Sequence, residues 1–213
     1  MRRGHIFILI TSLVFILSGL FYIIIYDKKD EIHEGLVNQK LWTKISPFQI
    51  QANNPHLFDG DLMALASGKI KENKAVAVSW GSLGMLWGKP VVTVYIEKNR
   101  KTHEFMKNNE YFTVTAFPDY FQKMLVNIGS QTIENEEKIK NLGFKLGFTE
   151  LGHPAFFEQG KLVIECKKVY ESPFKTEGFG ELADMMYENR ELHTIYIGEI
   201  VNIWKKNNSD IKL

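Results

Sequence analysis

Six runs rich in Val, Ile, Tyr and Phe constrain the fold more than any other feature of this chain. Gly, Pro, Asn or Asp residues bound each run, as is typical of β-strands closed by turns. Helical patterns separate only some of the runs, so the regular strand–helix alternation of a doubly wound sheet is missing. The pattern therefore predicts a mainly β domain with helical insertions, built as a closed or half-closed barrel. The runs lie at residues 62–66, 75–80, 91–96, 112–117, 161–170 and 194–204.

Three segments between or beside these runs carry helical signals. Asp119 and Gln122 have the spacing of a capping box, and Gly129 stands where a helix of ordinary length would end. Residues 134–142 form a short amphipathic pattern closed by a glycine, and residues 181–189 form another. We expect these three helices to be insertions in the β domain.

The N-terminal segment differs from the rest, because residues 6–26 contain no charged side chain. A helix over this run would span about 30 Å, the thickness of a bilayer core. The run offers no small-residue cleavage site, which favours an uncleaved anchor over a signal peptide. Positive charges flanking a membrane span favour the cytoplasmic side, and here Arg2 and Arg3 before the run equal Lys28 and Lys29 after it. The N-terminal amine adds one positive charge before the run, which favours a cytoplasmic N-terminus and an extracytoplasmic domain. The expected order is a single-pass transmembrane helix at 1–26, a juxtamembrane linker at 27–40, a globular domain at 41–205 and a tail at 206–213.

Charge and cysteine content exclude several classes of function. Lys and Arg total 26 and Asp and Glu total 25, and this balance argues against a nucleic-acid partner. Cys166 is the single cysteine, which excludes an internal disulfide and a cysteine-based zinc or iron–sulfur site within one chain. The histidines show no metal-ligand spacing, and we expect no metal site. The sequence also contains no P-loop and no Gly-x-Gly-x-x-Gly motif.

Residues 79–84, Ser-Trp-Gly-Ser-Leu-Gly, join two strand-like segments. Glycine has no Cβ, so a glycine turn can bring backbone N–H groups close to a flat ligand. A tryptophan, Trp80 or Trp87, would then form an apolar wall beside the ligand. The alternative is a hairpin turn with a packed tryptophan. The candidate ring-binding residues are Ser79, Trp80, Gly81 and Ser82.

Three residues at the end of the third run suit a phosphate. Arg100, Lys101 and Thr102 offer charge-assisted and hydroxyl hydrogen bonds. The alternative is a helix cap with solvated basic residues, and the two are compatible because a helix N-terminus binds anions. Ser130 is either part of a helix C-cap or a hydroxyl that reaches the same phosphate. His193 is either structural or an imidazole that hydrogen-bonds a bound ligand.

Together these segments resemble the flavin reductase-like family, the FMN-binding split β-barrel proteins. The resemblance extends from about residue 45 to residue 204 and rests on the order and spacing of several stretches. These stretches are 79–84 with 87–95, then 100–105, 109–114 and 162–168, and finally His193 with 196–201.

The resemblance implies a six-stranded Greek-key split β-barrel, usually a homodimer, with FMN held near the subunit interface. It also implies an oxidoreductase that passes hydride from NAD(P)H to flavin. Residues 79–82 would face the isoalloxazine, and Arg100 and Thr102 would hold the phosphate, with Lys101 and Ser130 beside it. His193 would lie near the ring and the nicotinamide as the catalytic residue.

The sequence departs from the family pattern at two places. It has Lys-Ala-Val-Ala at 74–77 where many relatives have Asn-Thr-Met-Thr, and Thr-Ile-Glu at 132–134 where relatives often have Ser-Gly-Arg. Two hydroxyls are lost, each worth about 1 kcal/mol in a buried hydrogen bond, and an anion replaces a cation. The alternative function is therefore a split barrel that binds a flavin or haem-like ligand without turnover, as a carrier or sensor.

Overall fold

The computed structural model describes residues 41–50, 58, 62–68, 74–130, 136–149 and 155–207. The predicted transmembrane helix and linker, and most of the predicted C-terminal tail, lie outside the described residues. None of the helices that the structure describes is long and apolar enough to cross a membrane.

The described residues form a mainly β fold with a few helices. The strands are β1 (Trp42–Lys44), β2 (Met63–Ser67), β3 (Lys74–Val78), β4 (Gly81–Leu86), β5 (Lys89–Glu97), β6 (Tyr111–Ala116), β7 (Leu146–Phe148), β8 (Ala155–Phe157), β9 (Leu162–Pro173) and β10 (His193–Lys206). The helices are α1 (Lys101–Asn108), α2 (Gln122–Ser130), α3 (Glu136–Asn141) and α4 (Glu181–Tyr187). Short 3-10 helices lie at Pro47–Gln49, Asp119–Phe121 and Thr176–Gly178.

All six predicted strands are confirmed, as β2, β3, β5, β6, β9 and β10. The sheet is larger than the six strands expected, because β1 and β4 also belong to it. The predicted turn at 79–84 is wrong, since only Ser79 and Trp80 connect β3 to β4. Strand β4 is difficult to recognise in the sequence, because it contains two glycines and glycine has a low β-propensity. The strand forms nevertheless, because it pairs with β5 along its whole length.

The large sheet is antiparallel and curls into a half-barrel. Its strand order is β3-β2-β6-β9-β10-β5-β4, with β1 paired to the last residues of β10. The two edge strands, β3 and β4, are consecutive in the chain and joined by Ser79 and Trp80 alone. Two linking residues span at most about 11 Å, so the edges must approach each other at this link. Register shifts between β9 and β10, at 197/198 and 200/202, add to the bending.

Apolar residues cover both faces of the sheet, in the alternation that a strand imposes. Met63 and Leu65 of β2 belong to a core formed with β5, β6, β9, β10 and Met106 of α1. Ala64 and Ala66, on the opposite face of β2, belong to a second core. This second core packs α2, α3 and a group of phenylalanines against the outside of the curl.

The predicted helices are present, but the predicted capping box is wrong. Asp119 begins a 3-10 helix, and the Gln122 side chain accepts a hydrogen bond from the Leu62 N–H at 2.8 Å, just before β2. Gly129 lies inside α2 and does not end it. The glycine predicted to close α3, Gly143, has a φ of 79°, a conformation that favours glycine. In the sequence, the helix-cap interpretation of residues 100–102 is the one indication of helix α1.

Candidate functional site

A pocket of about 320 Å³ lies beside the link between the two sheet edges. We call it the polar pocket. It brings together the end of β3 with its link, the end of β5, the start of α1 and the start of β10. The lining residues are Ala77, Val78, Ser79, Trp80, Tyr95, Ile96, Glu97, Arg100, Arg190 and His193.

The sheet register explains why these distant residues meet. Strands β5 and β10 are antiparallel, and His193 at the start of β10 stands opposite Glu97 at the end of β5. The chain turns immediately after Glu97, where the Arg100 N–H donates to the Glu97 carbonyl at 3.1 Å. The turn places the first residue of the phosphate motif beside the predicted catalytic histidine.

Arg100 has a carboxylate partner inside the pocket. Its Nε donates to Oε2 of Glu97 at 3.0 Å, and both side chains are part-buried. A phosphate at this position would therefore share the guanidinium with Glu97. The planar guanidinium carries five donors, which allows it to serve both acceptors.

The start of α1 has features that suit an anion. Thr102 is fully buried, and its Oγ1 has no hydrogen-bond partner among the described residues. Arg100, the N-cap residue, makes no side-chain capping hydrogen bond to the helix. Thr102 does not line the polar pocket itself. An unpaired buried hydroxyl costs about 1–3 kcal/mol, and a phosphate oxygen at a helix N-terminus would supply the missing acceptor.

His193 is held in the pocket wall by two aromatic neighbours. It is only 8% exposed, its ring lies 4.8 Å from Trp80 at an angle of 32°, and its Nδ1 is 3.0 Å from the Tyr187 hydroxyl. Burial lowers the pKa of His193. The negative charge of Glu97 raises this pKa, and the positive charges of Arg190 and Arg100 lower it further. The imidazole is therefore neutral at pH 7 and acts as a hydrogen-bonding group, not as a cation.

A second pocket, of about 640 Å³, adjoins the first and is mostly apolar. We call it the apolar pocket. It shares Trp80 and Tyr95 with the polar pocket, and α4 forms its other side. Leu182 of α4 lines it and is 74% exposed. The two pockets thus offer a charged compartment beside an aromatic and aliphatic one.

Two of the predicted ring-binding residues do not line either pocket. Gly81 and Ser82 lie in β4, paired with Val94 and Thr93 of β5. A Cβ on Gly81 would meet the Phe58 ring at 2.3 Å, so the lack of a side chain there serves core packing. Ser79 and Trp80, by contrast, line the polar pocket, and their contacts with a ring stay predictions.

Trp87, the other tryptophan considered for the wall, lies in a different hairpin turn. Trp87 and Gly88 form the two-residue turn between β4 and β5, with φ values of 52° and 72°, as a type I′ turn requires. Trp87 is 75% exposed and lines neither pocket. Trp80 is therefore the tryptophan that forms the wall.

Lys101 and Ser130 occupy the first position of α1 and the last position of α2. Their predicted contacts with a phosphate stay predictions. Within the part of the chain that the structure describes, no group of three or more His, Cys, Asp or Glu residues could hold a metal ion.

Comparison with known proteins identifies the family. The sequence profile of the flavin reductase like domain matches residues 62–213. The chain belongs to the flavin reductase-like family. No curated protein sequence matches the chain.

Solved structures share the fold of this flavin reductase-like domain. An FMN-binding domain of a flavin reductases-like enzyme from Shewanella baltica is 18% identical, with a TM-score of 0.55 over 77% of this chain and 76% of that chain. Flavoredoxin from Methanosarcina acetivorans is 19% identical, with a TM-score of 0.53 over 69% of each chain. An NADH:FAD oxidoreductase from Streptomyces globisporus, in complex with NAD and FAD fragments, is 12% identical, with a TM-score of 0.50 over 67% of this chain and 73% of that chain.

Four residues that surround the site in this flavin reductase-like domain were not predicted. Tyr95 and Glu97 lie two residues apart at the end of β5, on the same face of the strand, and both line the polar pocket. Tyr187 and Arg190 precede His193 by six and three residues, and no local pattern in the sequence marks them as site residues.

Proposed function

We propose that this flavin reductase-like domain is an FMN-binding oxidoreductase that passes hydride from NAD(P)H to flavin. The observation that carries the proposal is the polar pocket, where Ser79, Trp80, Arg100 and His193 meet beside the start of α1. The similar structures support it, since one is described as FMN-binding and another is a complex with NAD and FAD fragments. When bound, FMN supplies the hydride-accepting chemistry, and the chain supplies binding, orientation and electrostatics.

The phosphate would be held at the start of α1. The Thr102 hydroxyl lacks an acceptor among the described residues, Arg100 supplies a cation, and the helix N-terminus adds a favourable dipole. Glu97 limits the positive charge of the site through its ion pair with Arg100.

The ring would be held by the β3–β4 link. Ser79 and Trp80 line the polar pocket, and Trp80 also faces the apolar pocket, which offers a surface for flat, uncharged groups. His193 is neutral at pH 7 because burial lowers its pKa. Its role is therefore to donate or accept a hydrogen bond near the reacting groups, which orients them without adding a positive charge.

The test is the visible spectrum of the purified full chain, first with FMN and then with each nicotinamide under anaerobic conditions. We expect bound FMN bands that bleach on addition of NADH or NADPH. A preparation that gains no flavin bands with excess FMN contradicts the proposed binding. Bound FMN that neither nicotinamide bleaches assigns the domain to the alternative function, a carrier or sensor.

The proposal includes a membrane-anchored homodimer. The uncharged run at 6–26 supports the anchor, and the family resemblance supports the dimer. We expect the full chain to stay with membranes after a high-pH wash and to run as a dimer in detergent. Release by the wash would contradict the anchor, and a monomeric mass by light scattering would contradict the dimer.

A further inference from the structure

One side-chain hydrogen bond crosses the wall between the two pockets. Tyr187, the last residue of α4, lines the apolar pocket, and His193 lines the polar pocket. The Tyr187 hydroxyl lies 3.0 Å from Nδ1 of His193, and the two ring centroids are 5.6 Å apart. The contact occupies one of the two imidazole nitrogens.

The chemistry of the two groups sets the direction of this hydrogen bond. Burial raises the pKa of Tyr187, so its hydroxyl keeps its proton at neutral pH. Burial lowers the pKa of His193, so one ring nitrogen carries no proton and can accept. A phenol O–H is a stronger acid than a neutral imidazole N–H, and an imidazole nitrogen is a stronger base than a phenol oxygen. The Tyr187 O–H therefore donates to Nδ1, and the His193 proton resides on Nε2.

We propose that Tyr187 is a positioning residue that fixes His193 in the Nε2–H tautomer and leaves that N–H for the ligand of the polar pocket. The role in hydride transfer rests on the proposed function. Trp80 supports the same orientation from another side, because its ring packs against the imidazole at 4.8 Å. A histidine with Nδ1 engaged and one ring face covered offers a ligand its Nε2–H.

The aromatic neighbours of Tyr187 make its hydroxyl separable from its packing. The ring stacks on Phe179 at 5.2 Å and 24°, and it meets Phe174 edge-on at 6.0 Å. Tyr187→Phe keeps these ring contacts and removes only the donor. Tyr120→Phe is a matched control, because Tyr120 is exposed and lies on the 3-10 helix before α2, away from both pockets.

The test uses the full chain with ¹⁵N-labelled histidine, without added FMN, and long-range ¹H–¹⁵N spectra at pH 7.5. His193→Gln identifies the His193 signals. We expect the wild type and Tyr120→Phe to show the Nε2–H tautomer, and Tyr187→Phe to show a mixture of both tautomers. An Nδ1–H tautomer in the wild type, or an unchanged tautomer in Tyr187→Phe, overturns the proposal.

A second readout uses the FMN-loaded protein. In Tyr187→Phe we expect the rate of flavin reduction at saturating nicotinamide to fall about tenfold, the equivalent of one hydrogen bond, with FMN affinity unchanged. An unchanged rate overturns the positioning role. If neither nicotinamide reduces the wild type, the proposed function fails, and the tautomer spectra alone then decide the role of Tyr187.

Discussion

The buried hydroxyl of Thr102 allows the phosphate site to be tested by two effects of opposite sign, one on stability and one on FMN binding. Thr102→Val keeps the shape of the side chain and removes a buried Oγ1 that has no partner among the described residues. Thr and Val have similar helix propensities, so the start of α1 should tolerate the change. In the flavin-free protein the substitution removes a desolvation cost of about 1–3 kcal/mol. The flavin-free variant should therefore be more stable than the wild type, with Tm raised by about 2–4 °C for each kcal/mol.

FMN binding should change in the opposite direction. A hydroxyl that donates to a phosphate contributes about 1.5–3 kcal/mol, so Thr102→Val should weaken FMN binding about tenfold or more. The measurements are thermal unfolding of the flavin-free full chain and titration of FMN fluorescence.

Thr113→Val provides the matched control for this substitution. Thr113 is also fully buried, but its Oγ1 donates to the Ala155 carbonyl at 2.6 Å. The same change there removes a buried hydrogen bond that is already formed and should lower stability without altering FMN affinity. If Thr102→Val lowers the stability of the flavin-free protein, or binds FMN as tightly as the wild type, the assignment of Thr102 to the phosphate is refuted.

Three further predictions concern the same site. Arg100→Ala should weaken FMN binding about tenfold or more and Lys101→Ala less, whereas equal dissociation constants for both variants and the wild type would remove Arg100 from the site. Lys168→Met should weaken FMN binding on the order of threefold, because Lys168 Nζ donates at 2.8 Å to two carbonyls near the C-terminal end of α1 and so helps to position this helix. Unchanged binding would show that these two hydrogen bonds do not position α1. Burial lowers the pKa of His193 below 6.5, so the unfolded chain takes up its proton first, and stability should fall as pH drops below about 6.5. Between pH 7.5 and 5.5, the free energy of unfolding measured in urea should fall less for His193→Gln than for the wild type. An equal fall in the two proteins would refute the assignment of this pH dependence to His193.

The sequence predicted the parts of the fold whose signal is local. β-Branched and aromatic runs identified six strands within a few residues, because side-chain composition alone favours an extended chain there. Strand β4 was missed, since its Gly81 and Gly84 indicate a turn and only pairing with β5 makes them extended. The predicted capping box failed for a similar reason, because the Gln122 side chain bonds to the Leu62 N–H, a residue far away in the chain.

The site was predicted in part. Ser79, Trp80, Arg100 and His193 do line one pocket. The family resemblance was needed to group them, because only the pairing of β5 with both β4 and β10 brings them together. No local pattern predicted the ion pair between Arg100 and Glu97. The contact of Tyr187 with His193 also depends on how the chain returns from α4 to β10.

The most direct test of the proposed function is anaerobic stopped-flow reduction of the FMN-loaded full chain by NADH and by NADPH, in the wild type and in His193→Asn. We predict that at least one nicotinamide bleaches the wild-type flavin band. His193→Asn should keep its FMN, and its rate of flavin reduction should be lower by about tenfold or more, as for removal of one positioned polar group. Equal rates in the two proteins would make His193 structural. A wild-type flavin that neither nicotinamide reduces would contradict the oxidoreductase function.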